Sequence, residues 1–371
     1  MTTEDRRQIR PLPPPWDRIF PLASRLFVWG LLFSSLYILR SFFLQIFLTF
    51  VFSYILAHGV DALRGRIPNR PVRVIAVFLV FLGALVAIGV LLAPKIKDQA
   101  EVFAANYPKY FHQADQELVK LGDAIPALKP RLQEVSSQQV FLQVLGLGEK
   151  AEGKEREVQT LELLRNVGTR LFGFGTGFLL SLLFSFLIVL DLPRLTRGVQ
   201  NLAHTKLAFI YEEAAESIHS FGKVLGRAME AQLMIALVNT VLTAIGIYVI
   251  GLQENLIFFS AIVFFCSFIP VAGVFISSAP ICLVALEKEG FGLMLWAIAL
   301  ILLIHFIETY FLNPHIFGHH LRINPVLVLI ILTIGGSLFH VWGLILGVPI
   351  MTYIFGHAIR RKVTEAPAEA A

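Results

Sequence analysis

Two stretches of this chain run without Asp, Glu, Lys or Arg for longer than a membrane is thick. Leu256 to Leu286 is 31 residues, and Ile323 to Ile359 is 37. As straight helices they would measure about 46 and about 55 Å, against a hydrocarbon core of about 30 Å. Tilt does not absorb so large an excess. Each run must therefore bend, break or turn back inside the membrane. Both carry the residues for it: Pro270, Gly273 and Pro280 in "FIPVAGVFISSAP", and Gly335, Gly336, Gly343 and Pro349 in the second run. "VAGVFISSAP" and "VWGLILGVP" also share an order of Val, Gly, small apolar residues and Pro, a weak internal repeat. Backbone released from a helix survives at membrane depth only where protein buries it or a wet cavity receives it. Paired interrupted segments are thus a pointer to a solute site.

The remaining chain supports the same class. Only 15% of residues are charged, where a soluble domain carries about a quarter. The expected fold is an all-α polytopic membrane protein of about eight membrane segments, with the two broken or re-entrant runs in its C-terminal half and a helical extramembrane insert. Residues 1–18 read as a polar tail and 19–94 as three spans, the first two forming a tight hairpin about Arg40. Residues 95–169 are polar and periodic, the expected insert. Residues 170–190 form a fourth span, 191–228 an interfacial amphipathic helix, 229–359 a transport core, and 360–371 a second tail. Arginines gather in the first tail, the 61–73 loop, the 194–197 turn and "RRK" at 360–362. The positive-inside rule puts these, and both termini, in the cytoplasm.

Polar residues inside apolar runs are the candidate site. Glu308, in "LLIHFIETYFLNP", is the only carboxylate or cation of Lys or Arg type between Glu289 and Arg322. A carboxylate at depth costs about 2.5 kcal/mol or more and so faces protein or water, often to carry a proton or ion. His305 stands three residues earlier on the same helical face. On the fifth span Gln232, Ala236, Asn239, Thr243 and Gly246 form a small, polar stripe, either a seam between helices or a solute path. Gly177, Ser181 and Ser185 repeat that spacing on the fourth span, where packing is the expected role. His315, His319 and His320 lack a completing carboxylate or cysteine, so no metal site is expected. Cys266 and Cys282 sit in one apolar run and read as small packing residues. The chain has no Walker A loop, no GxSxG elbow and no HExxH pair, so neither an enzyme nor a cofactor is expected. No basic patch interleaved with aromatics suggests nucleic acid.

Over residues 20–360 the sequence resembles the AI-2E family of bacterial permeases. "RIPNRPVRV", "GRAMEAQ", "FIPVAGVFISSAP" and "IETYFLNPHIFGHHLRINPVLVLIILTIGGSLFHVWGLILGVPI" carry the resemblance. In the last string the matching positions are Glu308, Asn313–Pro314, Gly318, Pro325, Gly335, Gly336, Gly343 and Pro349. The resemblance implies export or facilitated permeation of a small solute, such as autoinducer-2, across the bacterial cytoplasmic membrane by a homo-oligomer. Some relatives resemble sodium– or lithium–proton antiporters. The chain departs from the family pattern at His305 and at His319–His320.

The expectation is therefore a permease or secondary transporter in the lipid bilayer. Glu308 and His305, with Gln232, Asn239 and Thr243, would handle coupling. The backbone around Pro270, Gly273, Pro280, Asn313, Pro314, Pro325, Gly335, Gly336, Gly343 and Pro349 would line the path, with coupling to H+ or Na+ left open. A cation–proton antiporter, a passive channel and a membrane scaffold are the alternatives.

Overall fold

The computed structural model describes residues 16–124, 154–270, 272–317 and 325–355. These residues are almost wholly helical, with no strand among them. Five stretches are long and apolar enough to cross a membrane: Leu22–Ala62, Arg70–Asn106, Gly175–His204, Ala208–Val249 and Phe291–Leu312. Shorter apolar helices fill the rest of the C-terminal half. The protein is an all-α, multi-pass membrane protein. Its contacts fall into two compact units, Met1–Val77 with Thr176–Lys223, and Phe78–Gly175 with Val224–Ala371.

The first unit contains α1 (Trp16–Ile38), α2 (Phe43–Ala62), the start of α3 (Arg70–Ala124), the later part of α4 (Lys154–Asn201) and the start of α5 (Ala208–Val249). The tight hairpin expected about Arg40 does not form. A single 3-10 turn, Leu39–Phe42, joins α1 to α2, and the residues on either side keep right-handed helical angles. One charge is too weak a signal to reverse a helix; a reversal takes the Gly, Pro or Asn chemistry that this junction lacks. Along the seam between α2 and α4, Ser181 and Ser185 are fully buried. The Ser181 hydroxyl donates to the Gln45 carbonyl at 3.1 Å, and Phe52 meets Phe178 edge-on. The stripe on the fourth span is therefore a packing surface. Glu213 on α5 accepts from Arg25 and from the Trp29 indole, at 3.2 and 3.3 Å.

The single amphipathic helix expected over 191–228 is two helix ends. α4 runs on to Asn201, a 3-10 turn covers Leu202–His204, and α5 begins at Ala208. α4 continues through Pro193, whose missing N–H leaves the Val189 carbonyl without its helical donor. Arg70 fills the gap: its two Nη atoms donate to the carbonyls of Val189 and Leu190, each at 2.8 Å.

In the second unit α3 continues without interruption past Pro94 and Pro108 to Ala124. The first part of the expected insert is thus a helical extension of a membrane segment; residues 125–153 of it lie outside the described residues. α5 then leads to α6 (Leu256–Cys266), α7 (Ala272–Glu289) and α8 (Phe291–Ile307), followed by a π-helical turn over Glu308–Leu312 and α9 (Asn313–Phe317). α10 (Pro325–Phe339) and α11 (Val341–Tyr353) close the unit.

Both overlong runs break, and both turn back. The second run reverses at His340, whose φ of 53° is the only positive value at a described non-glycine residue. Gly335 lies against Gly343, Gly336 against Leu344, and Gly347 against Ile331. As numbers rise on α11 they fall on α10, the pattern of an antiparallel hairpin. α10 and α11 have 15 and 13 residues, about 22 and 20 Å, too short for a crossing. The first run breaks between Cys266 and Ala272. At its tip Gly273 packs on the Cys266 carbonyl; at its base the Lys288 ammonium donates to the Gly251 carbonyl at 2.7 Å. That run is an antiparallel hairpin too.

α3 secures the base of this first hairpin. The Gln99 side-chain carbonyl accepts from the Phe258 N–H at 2.8 Å, capping α6 from outside its own sequence. Lys109 pairs with Glu287 at 2.6 Å, and Gln113 donates to the Glu287 carbonyl at 2.9 Å. Beneath them Phe103, Tyr110 and Phe111 pack with Phe259, Val284 and Ala285 in the main core. Burial, reinforced by the Glu287 and Glu254 carboxylates, holds the Tyr110 phenol above its ordinary pKa.

Two stability outcomes follow from these contacts. A Cβ on Gly343 would overlap the Gly335 carbonyl, whereas one on Gly335 would lie 2.9 Å from the Gly343 oxygen. Gly343→Ala should lower the thermal unfolding midpoint in detergent further than Gly335→Ala, overpacking at such sites costing about 1–3 kcal/mol. Equal midpoints would show that the hairpin does not close through this contact. Arg70→Met should cost about 1–3 kcal/mol by leaving the Val189 carbonyl unpaired. The added substitution Pro193→Ala should recover most of that loss, since it restores the helical donor.

Candidate functional site

Three elements of the second unit converge on one small cavity. α5 supplies Asn239 and Thr243, the tip of the first hairpin supplies Ser267, Pro270 and Gly273, and the end of α8 supplies His305 and Glu308. The spacing seen in the sequence explains the α5 contribution. Positions four residues apart share a helical face, so one face of α5 presents Gln232, Asn239 and Thr243 together. Ala236 on that face is fully buried, and Gly246 lets Leu300 of α8 approach the α5 backbone. The stripe is both things the sequence allowed: a packing seam, and the polar wall of a cavity.

Glu308 occupies the first position of the π-helical turn. Pro314 follows six residues later and cannot donate to a carbonyl in the preceding turn, and a wider turn accommodates that loss. π-turns of this kind concentrate at functional sites. The Glu308 side chain is 19% exposed. Its Oε2 accepts from Asn239 Nδ2 at 2.9 Å and lies 3.7 Å from His305 Nδ1.

Asn239 is 5% exposed, and its Oδ1 has no hydrogen-bond donor among the described residues. A buried amide oxygen left in that state costs about 1–3 kcal/mol. Because Asn239 lines the cavity, the cavity contents are what can satisfy it. The cavity has about 50 Å3 of room for water-sized occupants, enough for a few waters or a small ion. Its other walls are mostly apolar, among them Val263, Ile281, Ile301 and Ile304. The arrangement can therefore hold a compact, hydrogen-bond-donating or cationic species next to a single carboxylate.

The broken backbone at the hairpin tip is held from α5. Gln232 Nε2 donates to the Ser267 carbonyl, one of the groups released where α6 ends. Ile269 N–H donates to the Cys266 carbonyl at 2.9 Å, and Gly273 N–H to the Ile269 carbonyl at 2.9 Å. Gly273 can have no side chain, because a Cβ would overlap the Cys266 carbonyl.

Of the residues singled out in the sequence, Glu308, His305, Asn239, Thr243, Pro270 and Gly273 line the cavity, and Gln232 braces its rim. Pro280 is buried within α7 and does not line it. Asn313 and Pro314 begin α9 and Pro325 begins α10. Gly335, Gly336, Gly343 and Pro349 belong to the second hairpin, where the glycines serve its self-packing. The expectation that both broken runs meet at one site is thus met by the first hairpin only, among the described residues. Ser267 and Ser277 also line the cavity; their place in a small-residue string gave no sign of it. His315 Nδ1 lies 2.9 Å from the Phe311 carbonyl, while His319 and His320 fall outside the described residues. Cys266 and Cys282 are both unpaired thiols.

Known proteins are similar to this chain in sequence. YdbI of Bacillus subtilis, a transport protein by name, is 34% identical over 181 residues, 49% of this chain and 51% of its own. The match to that relative thus spans about half of its length. A protein of Alkalihalophilus pseudofirmus, also named for transport, is 22% identical over 92% of this chain and 90% of its own. One of Halobacillus andaensis, named as a sodium-lithium/proton antiporter, is 24% identical over 78% of this chain and 81% of its own. The model of the AI-2E family transporter matches residues 26–359. With an all-α membrane fold, two helical hairpins and that match over nearly its whole length, the chain belongs to the AI-2E transporter family.

Proposed function

We propose that the chain is a secondary transporter whose solute occupies the Glu308 cavity, with Glu308 as the coupling residue. The observation that carries this reading is a lone carboxylate that accepts from Asn239 Nδ2 while Asn239 Oδ1 beside it stays unsatisfied, at the tip of the first hairpin. Groups of this kind at membrane depth mark ion and substrate paths. The two hairpins suit alternating access. Each returns to the side it leaves, and between them in sequence, among the described residues, the stretch Phe291–Leu312 has crossing length. They therefore open to opposite faces of the membrane, the second toward the side of "RRK" at 360–362. By the positive-inside rule that side is the cytoplasm, in the bacterial cytoplasmic membrane. Export of a small signalling solute of the autoinducer-2 type, by a homo-oligomer, is the finer form of the proposal.

One observation favours a second reading, monovalent cation–proton antiport. The cavity gathers oxygen ligands: the Glu308 carboxylate, Asn239 Oδ1, and the hydroxyls of Thr243 and Ser267. Oxygen sets of this type suit hard cations. A single carboxylate that takes a proton and a cation in turn performs the exchange, and the Halobacillus relative is named for that activity.

Flux into proteoliposomes of the purified protein distinguishes these readings. Wild type should move one member of a solute panel saturably, and Glu308→Gln should lower that flux by at least about tenfold, the effect of losing about 1.4 kcal/mol. Proton flux driven by Na+ or Li+, abolished in Glu308→Gln, selects the antiporter. Non-saturating conductance selects a passive channel, and silence in both proteins ends the transport reading. Gln232→Leu, which frees the Ser267 carbonyl, should reduce flux as well as the unfolding midpoint. An effect on the midpoint alone would make the hairpin tip a purely structural element.

A further inference from the structure

A second site lies in the first unit, beside Pro193 of α4. A groove of about 780 Å3 opens there, with Leu187, Ile188 and Leu195 on its apolar side and Arg70, Arg194, Arg197 and Asp191 among its polar residues. The apolar side is continuous with the membrane-crossing stretch Gly175–His204. The polar residues begin where the uncharged run of α4 ends, at Leu190. The groove therefore spans the level at which lipid headgroups meet acyl chains.

Its charge is unbalanced. Arg70 is held by the Val189 and Leu190 carbonyls, which orient its guanidinium without neutralising it. Arg197 Nε donates to the Pro193 carbonyl at 3.2 Å, again with no carboxylate paired to it among the described residues. Arg194 pairs with Asp191 at 3.3 Å, the two side chains being 79% and 47% exposed. Three guanidiniums thus face one carboxylate, a surplus of two positive charges beside an apolar wall. A zwitterionic headgroup brings its own ammonium into that field, whereas an anionic one brings only its phosphate, which guanidinium groups match in shape and charge.

We propose that this groove binds one anionic phospholipid, its phosphate between Arg194 and Arg197 and an acyl chain along Leu187 and Ile188. Pro193 makes the site: it leaves the Val189 carbonyl without a helical donor, and Arg70, in satisfying that carbonyl, is a third cation of the groove. The lipid would sit against α4 at Pro193, independently of whatever occupies the Glu308 cavity.

The test is a titration of the delipidated full chain in detergent with phosphatidylglycerol and phosphatidylcholine of identical acyl chains, with bound lipid counted by native mass spectrometry. Each interfacial arginine adds about fivefold in affinity for anionic lipid, so phosphatidylglycerol should be favoured by at least about fivefold. In Arg194→Gln/Arg197→Gln the preference should fall below about twofold. Lys206→Gln/Lys223→Gln removes two exposed charges elsewhere in the same unit and should keep the preference. Asp191→Asn removes the competing carboxylate and should raise it. Equal affinities in wild type, or equal losses in the two double variants, would overturn the site. If the arginine double variant does not fold, Asp191→Asn decides: a preference no higher than wild type rejects the proposal.

Discussion

A peptide group in hydrocarbon has no water to turn to, and unsatisfied it costs several kcal/mol. Every unusual feature of the second unit answers this constraint. Where α6 stops, Gln232 takes the Ser267 carbonyl, and Ile269 takes the Cys266 carbonyl. Where α6 starts, Gln99 takes the Phe258 N–H. The same rule governs α4, where a proline orphans a carbonyl and an arginine from another helix satisfies it. Among the described residues that line the cavity, Asn239 Oδ1 is a buried acceptor left without a donor. A hydrogen bond left open beside a cavity is what a solute can exploit.

The cavity is also built for asymmetry. Its carboxylate comes from the end of α8, its amide from α5 and its backbone from the first hairpin, so three elements contribute to one small volume. A helix face alone would give a site made by one element; here the geometry of the site depends on how all three pack.

Much of this was legible in the sequence because length and charge are hard limits. Thirty-one uncharged residues cannot be one crossing, so the break near Pro270 followed from arithmetic. Helical spacing put Asn239 and Thr243 on one face of α5, and the cost of a buried carboxylate marked Glu308; that the two meet depends on the packing of α5 against α8, which neither signal contains. What stayed hidden depends on partners distant in sequence. Nothing local to Gln99 announces that it caps a helix 159 positions away, and nothing local to Arg70 announces the carbonyl it rescues. The junction of α1 and α2 misled for the opposite reason: a single arginine between apolar runs looks like a turn, yet carries no turn chemistry. The glycines of the second hairpin were visible as breakers, but their purpose, close contact between two backbones, depends on a fold-back that spacing alone does not reveal.

The shortness of the hairpin helices has a consequence for how the chain is made. A segment of 11 residues such as α6 cannot partition into the bilayer as a span, because its ends would leave peptide groups exposed to lipid. It can enter only against protein that is already there. Synthesis supplies that protein in the right order: α3 with Gln99 and α5 with Gln232 are made before the hairpin that needs them. Glu308 is made after it. The first hairpin is thus a late arrival seated into a receptor formed by earlier helices, and the carboxylate closes over it last.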